Sequence, residues 1–347
     1  MCISTGLSAQ HSIRWINDDY NFGAFKEDSG LVTCQFKGIN VANEPISIVN
    51  ARATCGCTTP EYSYSSFNPG DTIAITVSYD PEGRPGRFVK KVYIKNSNDE
   101  SQDELKIRGV VIGSVATLKS RYPIEHGKLR MAQDIVAMGE LPRGKAKAVF
   151  VSVYNQTTDT IVPQLKNVPS YIKSSITPAK IAPGEQASVS FHFDAFYCKK
   201  WGVVSDSVIL VTDEINGEEV IFDITANIVP NFSRMTPGER MKAPMIAMDS
   251  RVDFDKIDRQ GTPITKEIEI KNIGKEALHL YRVYSLDEGI EVVVEKNKIK
   301  GGKSAKVKVT VDPSLLKGEL LNARILFVAN DPTNYQPIVR IVGEFKR

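Results

Sequence analysis

The stretch Phe67-Asn-Pro-Gly-Asp-Thr-Ile-Ala-Ile-Thr-Val-Ser-Tyr-Asp-Pro-Glu-Gly-Arg-Pro-Gly86 decides the fold. Pro69-Gly70 opens it with a turn. Apolar side chains then alternate at Ile73, Ile75, Val77 and Tyr79, with Thr72, Ala74, Thr76 and Ser78 between them. A period of two means a strand with one face buried and one face wet. Asp80-Pro81 stops the strand, and Gly83 and Gly86 mark the loop after it. The same sentence is written twice more. Ile181-Ala182-Pro183-Gly184 leads into Ala187, Val189, Phe191 and Phe193 and ends at Asp194. Ile299-Lys300-Gly301-Gly302 leads into Ala305, Val307, Val309 and Val311 and ends at Asp312-Pro313.

Other landmarks keep the same spacing. Phe22, Met138 and Phe254 stand 116 residues apart, and so do Gly86, Gly202 and Gly318. Gly109, Ala226 and Gly343 stand 117 apart. A period this long means tandem domains rather than a solenoid of short repeats. Within each period the apolar runs come in one order. Cys34-Gln35-Phe36, Ile46-Ser47-Ile48, Val92-Tyr93-Ile94 and Leu105-Lys106-Ile107 surround the opening strand of the first unit. Asn43-Glu44-Pro45, Asn216-Gly217 and Asn330-Asp331-Pro332 are among the turns that separate such runs. About seven short strands per roughly 100 residues is the size of an immunoglobulin-type sandwich. The expected fold is all-β: three tandem immunoglobulin-like β-sandwich domains, over residues 12–113, 114–230 and 231–347, each folding as a unit. Gly113 to Gln133 reads as the first linker and Pro230 to Pro244 as the second, with a bend at Pro237-Gly238. No antibody-type Cys…Trp…Cys spacing occurs, so apolar packing must hold the sandwiches; Trp15 and Trp201 stand in unrelated places.

Composition narrows the function classes. A chain of 347 residues with 41% hydrophobic and 24% charged residues is that of an ordinary globular protein. The net charge of +3 comes without a run of five like charges, so no nucleic-acid tail or polybasic membrane patch is expected. No apolar run is long enough for a membrane helix. Leu7-Ser8-Ala9 reads either as the small-residue end of an incomplete secretion signal, cleaved after Ala9, or as part of an N-terminal tail. Five cysteines over this length are not a disulfide framework.

Asn21-Phe22-Gly23, Ala53-Thr54-Cys55-Gly56-Cys57-Thr58-Thr59-Pro60, Asn68-Pro69-Gly70 and Tyr79-Asp80-Pro81-Glu82-Gly83-Arg84-Pro85-Gly86-Arg87-Phe88 together resemble the domain-of-unknown-function family DUF1573. The motif match covers about Ile13 to Val111. The second unit lacks Cys-Gly-Cys and has Asp194-Ala195-Phe196 at the strand end; the third keeps Asp312-Pro313 and Gly318 without cysteine. The resemblance implies secreted or periplasmic immunoglobulin-like domains, common in Bacteroidetes and similar in plan to MSP, PapD-like and ASH domains. It implies no activity.

Cys55, Gly56, Cys57 and Thr58 form the one sharp local feature, and three chemistries are open to it. The thiols can pack as small apolar groups around a bend at Gly56. They can form a disulfide or serve redox exchange. They can chelate a soft metal such as Cu(I), with Cys34 as a possible third sulfur. Zinc is not expected, since no partner sits at finger spacing. Cys34 shares the phase of Val32 and Phe36 and reads as core, and Cys198 as packing. The four histidines are scattered, with His192 and His279 on polar strand phases. Asp80, Asp194 and Asp312 read as Asx turns, since one carboxylate per unit is too few for calcium. Gly83-Arg84-Pro85-Gly86 lacks the Lys-Ser/Thr and helix of a phosphate loop and reads as a surface turn.

The expectation is therefore a non-catalytic, exported binding or structural scaffold of the cell envelope. It would need no cofactor or metal and would act on an unidentified protein partner rather than on nucleic acid. The alternative is a thiol redox or Cu(I)-binding protein centred on Cys55 and Cys57.

Overall fold

A computed structural model describes residues 11–99, 101–212 and 218–346. The residues of the expected secretion signal, Cys2 included, and the Asn216-Gly217 turn lie outside them. The first unit holds β1 (Ile13–Trp15), β2 (Asp19–Lys26), β3 (Val32–Asn40), β4 (Ile46–Ala53), β5 (Thr58–Tyr62), β6 (Ser66–Phe67), β7 (Thr72–Tyr79), β8 (Gly86–Asn96) and β9 (Asp103–Ile112). A single-turn helix α1 (Val115–Leu118) follows. The second unit holds β10 (Ile124–His126), β11 (Leu129–Met131), β12 (Ile135–Pro142), β13 (Ala146–Asn155), β14 (Gln164–Lys166), β15 (Ile172–Thr177), β16 (Gln186–Asp194), β17 (Gly202–Val211) and β18 (Glu219–Val229). After helix α2 (Pro237–Lys242) come β19 (Ile246–Ala247), β20 (Arg251–Ile257), β21 (Ile264–Asn272), β22 (Leu278–Ser285), β23 (Ile290–Val294), β24 (Lys298–Ile299), β25 (Ser304–Val311), β26 (Leu320–Ala329) and β27 (Ile338–Phe345).

Each unit pairs two sheets. The first has orders β1-β3-β7-β5 and β2-β9-β8-β4-β6. The second has β10-β11-β13-β16-β15 and β12-β18-β17-β14, and the third β19-β21-β25-β23 and β20-β27-β26-β22-β24. The fold is an all-β array of immunoglobulin-like sandwiches, as the sequence predicts. The alternating strands β7, β16 and β25 lie inside their sheets, and their apolar phase is buried. Ile73, Ile75 and Val77 are 0% exposed, and Phe191, Phe193, Val307 and Val309 are at most 1% exposed. A slip of one residue would put all of these side chains in water, so register is firmly set.

The landmark at Phe22-Gly23, Met138-Gly139 and Phe254-Asp255 now has a physical cause. In every unit the entering chain first pairs antiparallel, through β1, β11 or β19, and then crosses to the other sheet to pair parallel, through β2, β12 or β20. The parallel ladder is broken by a bulge at Gly23 (φ 70°), Gly139 (φ 68°) and Asp255 (φ 56°). The left-handed backbone suits glycine, and aspartate tolerates it better than most residues. Opposite the first bulge sits Gly109, where a Cβ would come within 3.0 Å of the Gly23 carbonyl.

A buried asparagine ends the second major strand of each unit. Asn40, Asn155 and Asn272 are at most 1% exposed. Each donates through Nδ2 to the carbonyl four residues on and to one across the loop: Glu44 and Phe67, Asp159 and Ile181, Glu276 and Ile299. Each accepts through Oδ1 from the N–H two residues on. Side-chain amides thus add bonds to backbone groups at the strand ends, and the Ile181 carbonyl also accepts from Ile161 N–H at 3.0 Å.

Both linkers differ from expectation. Gly113 to Gln133 is not a bare connection: β10 and β11 add two strands to a sheet of the second unit, and Leu129 and Met131 are 0% exposed. Three-residue strands are too short to show a period. Pro237-Gly238 does not bend the chain but begins α2. Pro237 fills the first turn, where its missing N–H costs nothing, and Thr236 and Glu239 cap each other reciprocally.

Candidate functional site

The Cys55–Cys57 loop joins β4 to β5, and so crosses between the two sheets of the first unit. Cys55 and Cys57 are joined by a disulfide, with their Cα atoms 5.4 Å apart. Thr58 N–H donates to the Cys55 carbonyl at 3.3 Å, and the Thr58 hydroxyl lies 3.5 Å from the Cys55 sulfur. Cys57 and Thr58 are buried, Cys55 is half-buried, and Gly56 stands exposed at the tip. The four residues singled out in the sequence therefore form one compact turn. Its inner half packs on the core of the first unit, and its outer half meets water. A bridged pair offers no thiolate, so in this state the loop cannot ligate Cu(I).

The other cysteines stay apart from it chemically. Cys34, on β3, is a free thiol in the core of the first unit, and burial pushes its pKa up to about 11. Cys198 is free and 0% exposed, and burial pushes its thiol up too. Neutral buried thiols are poor nucleophiles. Asp80, Asp194 and Asp312 make the expected Asx turns, each Oδ1 accepting from the N–H two residues on at 2.9–3.0 Å. His192 is exposed and His279 half-buried.

The disulfide loop sits at the end of the first unit that meets the second. The Cys57 carbonyl accepts from Asp80 N–H at 2.9 Å, at the start of the β7–β8 loop. In that loop Gly83 N–H donates to Glu27 Oε1 at 2.6 Å. Glu27, 6% exposed, also accepts from Ser114 N–H at 2.7 Å and the Thr117 hydroxyl at 3.0 Å, on the cap and first turn of α1. Burial alone would raise the Glu27 carboxyl; the bonds from Ser114, Thr117 and Gly83 outweigh it and hold the pKa below the ordinary carboxylate range. Tyr154 of the second unit accepts from Gly113 N–H at 3.0 Å. Ile112, Leu118, Tyr122 and Tyr154 form a small apolar core at this junction.

The second junction is built differently. Trp201, unplaced by the sequence reading, stacks on Tyr281 of the third unit at 4.3 Å between ring centroids. The Arg143 guanidinium lies 3.9 Å from the Trp201 ring centroid on its other side. Arg282 donates to the carbonyls of Trp201 and Val203, Val203 N–H donates to the Tyr284 hydroxyl at 2.8 Å, and Asn227 and Gln336 exchange two hydrogen bonds. No periodic pattern announces these residues, because each contact is made once and between units. Glu27 was missed for the same reason.

Among the described residues no helix is long and apolar enough to cross a membrane. The family described as "Protein of unknown function (DUF1573)" matches residues 13–111 and 245–345. A protein of unknown function from Porphyromonas gingivalis W83 aligns at 18% identity and TM-score 0.49, over 63% of this chain and 100% of that one. The titin I-band fragment I67–I69 aligns at 10% identity and TM-score 0.27, over 97% and 99% of the two chains. An endo-fucoidan hydrolase of glycoside hydrolase family 107 aligns at 9% identity and TM-score 0.29, over 94% of this chain and 43% of that one. No curated protein matches the sequence.

Proposed function

The chain belongs to the DUF1573 family, and from that premise we propose that it is a non-catalytic binding or structural protein of the cell envelope, exported to the periplasm or cell surface. The observation that carries the reading is the pair of bonded junctions. A row of sandwiches joined by part-buried hydrogen bonds and stacked rings holds its ends at a set separation, which is what a scaffold or spacer requires. The Cys55–Cys57 bridge supports export, because disulfides persist in oxidising compartments and are rare in the cytosol. A protein partner would be met through loops at a sandwich end or by strand addition at an edge such as β5, β15 or β23. Fractionation of the native cell, with alkylation of free thiols before lysis, tests the reading. The chain should appear in the envelope fraction with Cys55 and Cys57 protected. A cytosolic chain with both thiols alkylated would overturn it.

The bridge itself favours a second reading, a thiol redox protein centred on Cys55 and Cys57, with Cu(I) as the ligand of the reduced pair. Rapid exchange of the bridge with a small dithiol, together with stoichiometric Cu(I) uptake lost in a Cys55→Ala, Cys57→Ala double variant, would place it ahead of the scaffold.

A further inference from the structure

His11, Asp99 and Asp103 gather at the opposite end of the first unit, where the chain enters β1 and β8 turns into β9. One ligating atom from each lies within 4.8 Å of the others. His11 Nδ1 is 2.6 Å from Asp103 Oδ1. Asp103 is 7% exposed, and its Oδ2 is buried without a hydrogen-bond partner. The Trp15 indole lies beside this carboxylate, but its Nε1–H and Asp103 Oδ2 both lack a hydrogen bond of good geometry. His11 therefore makes the one well-formed bond to a carboxylate closed off from water. An under-satisfied buried charge is costly.

The second carboxylate is held as a ligand is held. Asp99 Oδ2 accepts from Ser12 N–H at 2.9 Å and from Asn96 Nδ2 at 2.6 Å, and Oδ1 accepts from the Ser12 hydroxyl at 2.5 Å. Such outer donors fix the direction of metal-binding carboxylates. Lys95, near the end of β8, donates to the Asp99 main-chain carbonyl and not to its carboxylate. A cation between the two carboxylates would offset the repulsion of two like charges that converge within 4.8 Å.

We propose that His11, Asp99 and Asp103 bind one divalent transition cation of the zinc class, which fastens the entering chain to the β8–β9 loop. An imidazole among the ligands argues against calcium and magnesium, which take oxygen. Bonds of about 2.0–2.2 Å in tetrahedral array would set the ligand atoms about 3.3 Å apart. His11 and Asp103 would then separate slightly from their direct contact, and His11, its side chain 47% exposed, is free to do so. Three protein ligands leave the fourth position for water or for a donor from a partner, as in open zinc sites. Sequence reading missed the cluster because His11 and Asp99 lie 88 residues apart.

The test is calorimetric titration of the chelator-treated full chain with ZnCl2, beside MgCl2 and CaCl2. One saturable zinc site is expected, with no uptake of the other two ions. His11→Ala should weaken it at least tenfold, as loss of even an outer-shell partner costs 10–100-fold. Asp103→Asn should do the same while keeping the wild-type circular dichroism spectrum. No saturable zinc binding, or equal stoichiometry and affinity in the wild type and His11→Ala, would overturn the assignment.

Discussion

Asn272→Ala offers a quantitative test of how the units are held. Asn272 is 0% exposed and makes four side-chain hydrogen bonds, donating to the carbonyls of Glu276 (2.8 Å) and Ile299 (3.0 Å) and accepting from the N–H groups of Gly274 (3.0 Å) and Met245 (3.2 Å). These bonds are not of equal worth. Glu276 and Met245 are exposed and Gly274 is half-buried, so water can replace the side chain there. Ile299 is 2% exposed, and its carbonyl would keep only its ladder pairing with Leu278 of β22. Losing that buried bond costs about 0.5–1.5 kcal/mol, and the weakened loop adds about 1 kcal/mol. The expected loss is about 1.5–2.5 kcal/mol, or roughly 6–20 °C in the melting transition of a unit this size. Asn272→Asp discriminates further. It keeps the two accepted bonds but turns a carboxylate oxygen toward two carbonyls, so at neutral pH it should destabilise more than Ala. Thermal melts with hydrogen exchange by mass spectrometry would assign the loss to the third unit. A cost below about 0.5 kcal/mol, or an Asp variant as stable as Ala, would refute the assignment of Asn272 as the buried donor to Ile299.

Other outcomes follow from the same structure. Replacing Cys55 and Cys57 together with Ala removes a bridge that closes a very short loop, so melting of the first unit should show a loss of about 1–2 kcal/mol, with partner binding unchanged. Glu27 has a depressed pKa when folded, so its contribution is fully present above its unfolded value of about 4.3 and is lost as pH falls through the folded one. Acid titration of stability should flatten in that range for Glu27→Gln, and an unchanged profile would mean that the clasp on Ser114 and Thr117 contributes nothing. Residues 114–230 and 231–347, expressed separately, should each give a cooperative melt by circular dichroism; insoluble products would mean that the stacked Trp201–Tyr281 junction is obligatory.

Features set by local periodicity were legible in the sequence. Strands β7, β16 and β25 alternate cleanly because one face is buried and the other wet, and their common spacing revealed three units. Asp80, Asp194 and Asp312 read correctly as Asx turns, since the bond each makes spans two residues. β10 and β11 were misread as linker because three residues show no period, and α2 was read as a bend within the linker because proline at a helix start looks like proline at a bend. Phe22-Gly23 and its repeats were seen as landmarks, but the bulge they serve was hidden, since it depends on a parallel partner about 85 residues away. The Cys55-Gly56-Cys57 loop was located, but spacing alone could not decide between packing, bridging and ligation.

The position of that loop links the candidate site to the architecture. Its inner cysteine accepts a hydrogen bond from Asp80 N–H, the Asp80 loop holds Gly83 against Glu27, and Glu27 holds the cap of α1. Each step joins a different segment of the first unit, and the last crosses to the second. A buried carboxylate with three donors tolerates little displacement, because any donor drawn away leaves charge unsatisfied in a poorly hydrated place. The bridge restricts the loop that begins this series, so it bears on the angle between units as well as on the first unit's own stability. On the scaffold reading proposed above, a disulfide is better placed at a junction than in mid-sandwich, where apolar strands such as β7 already fix the geometry.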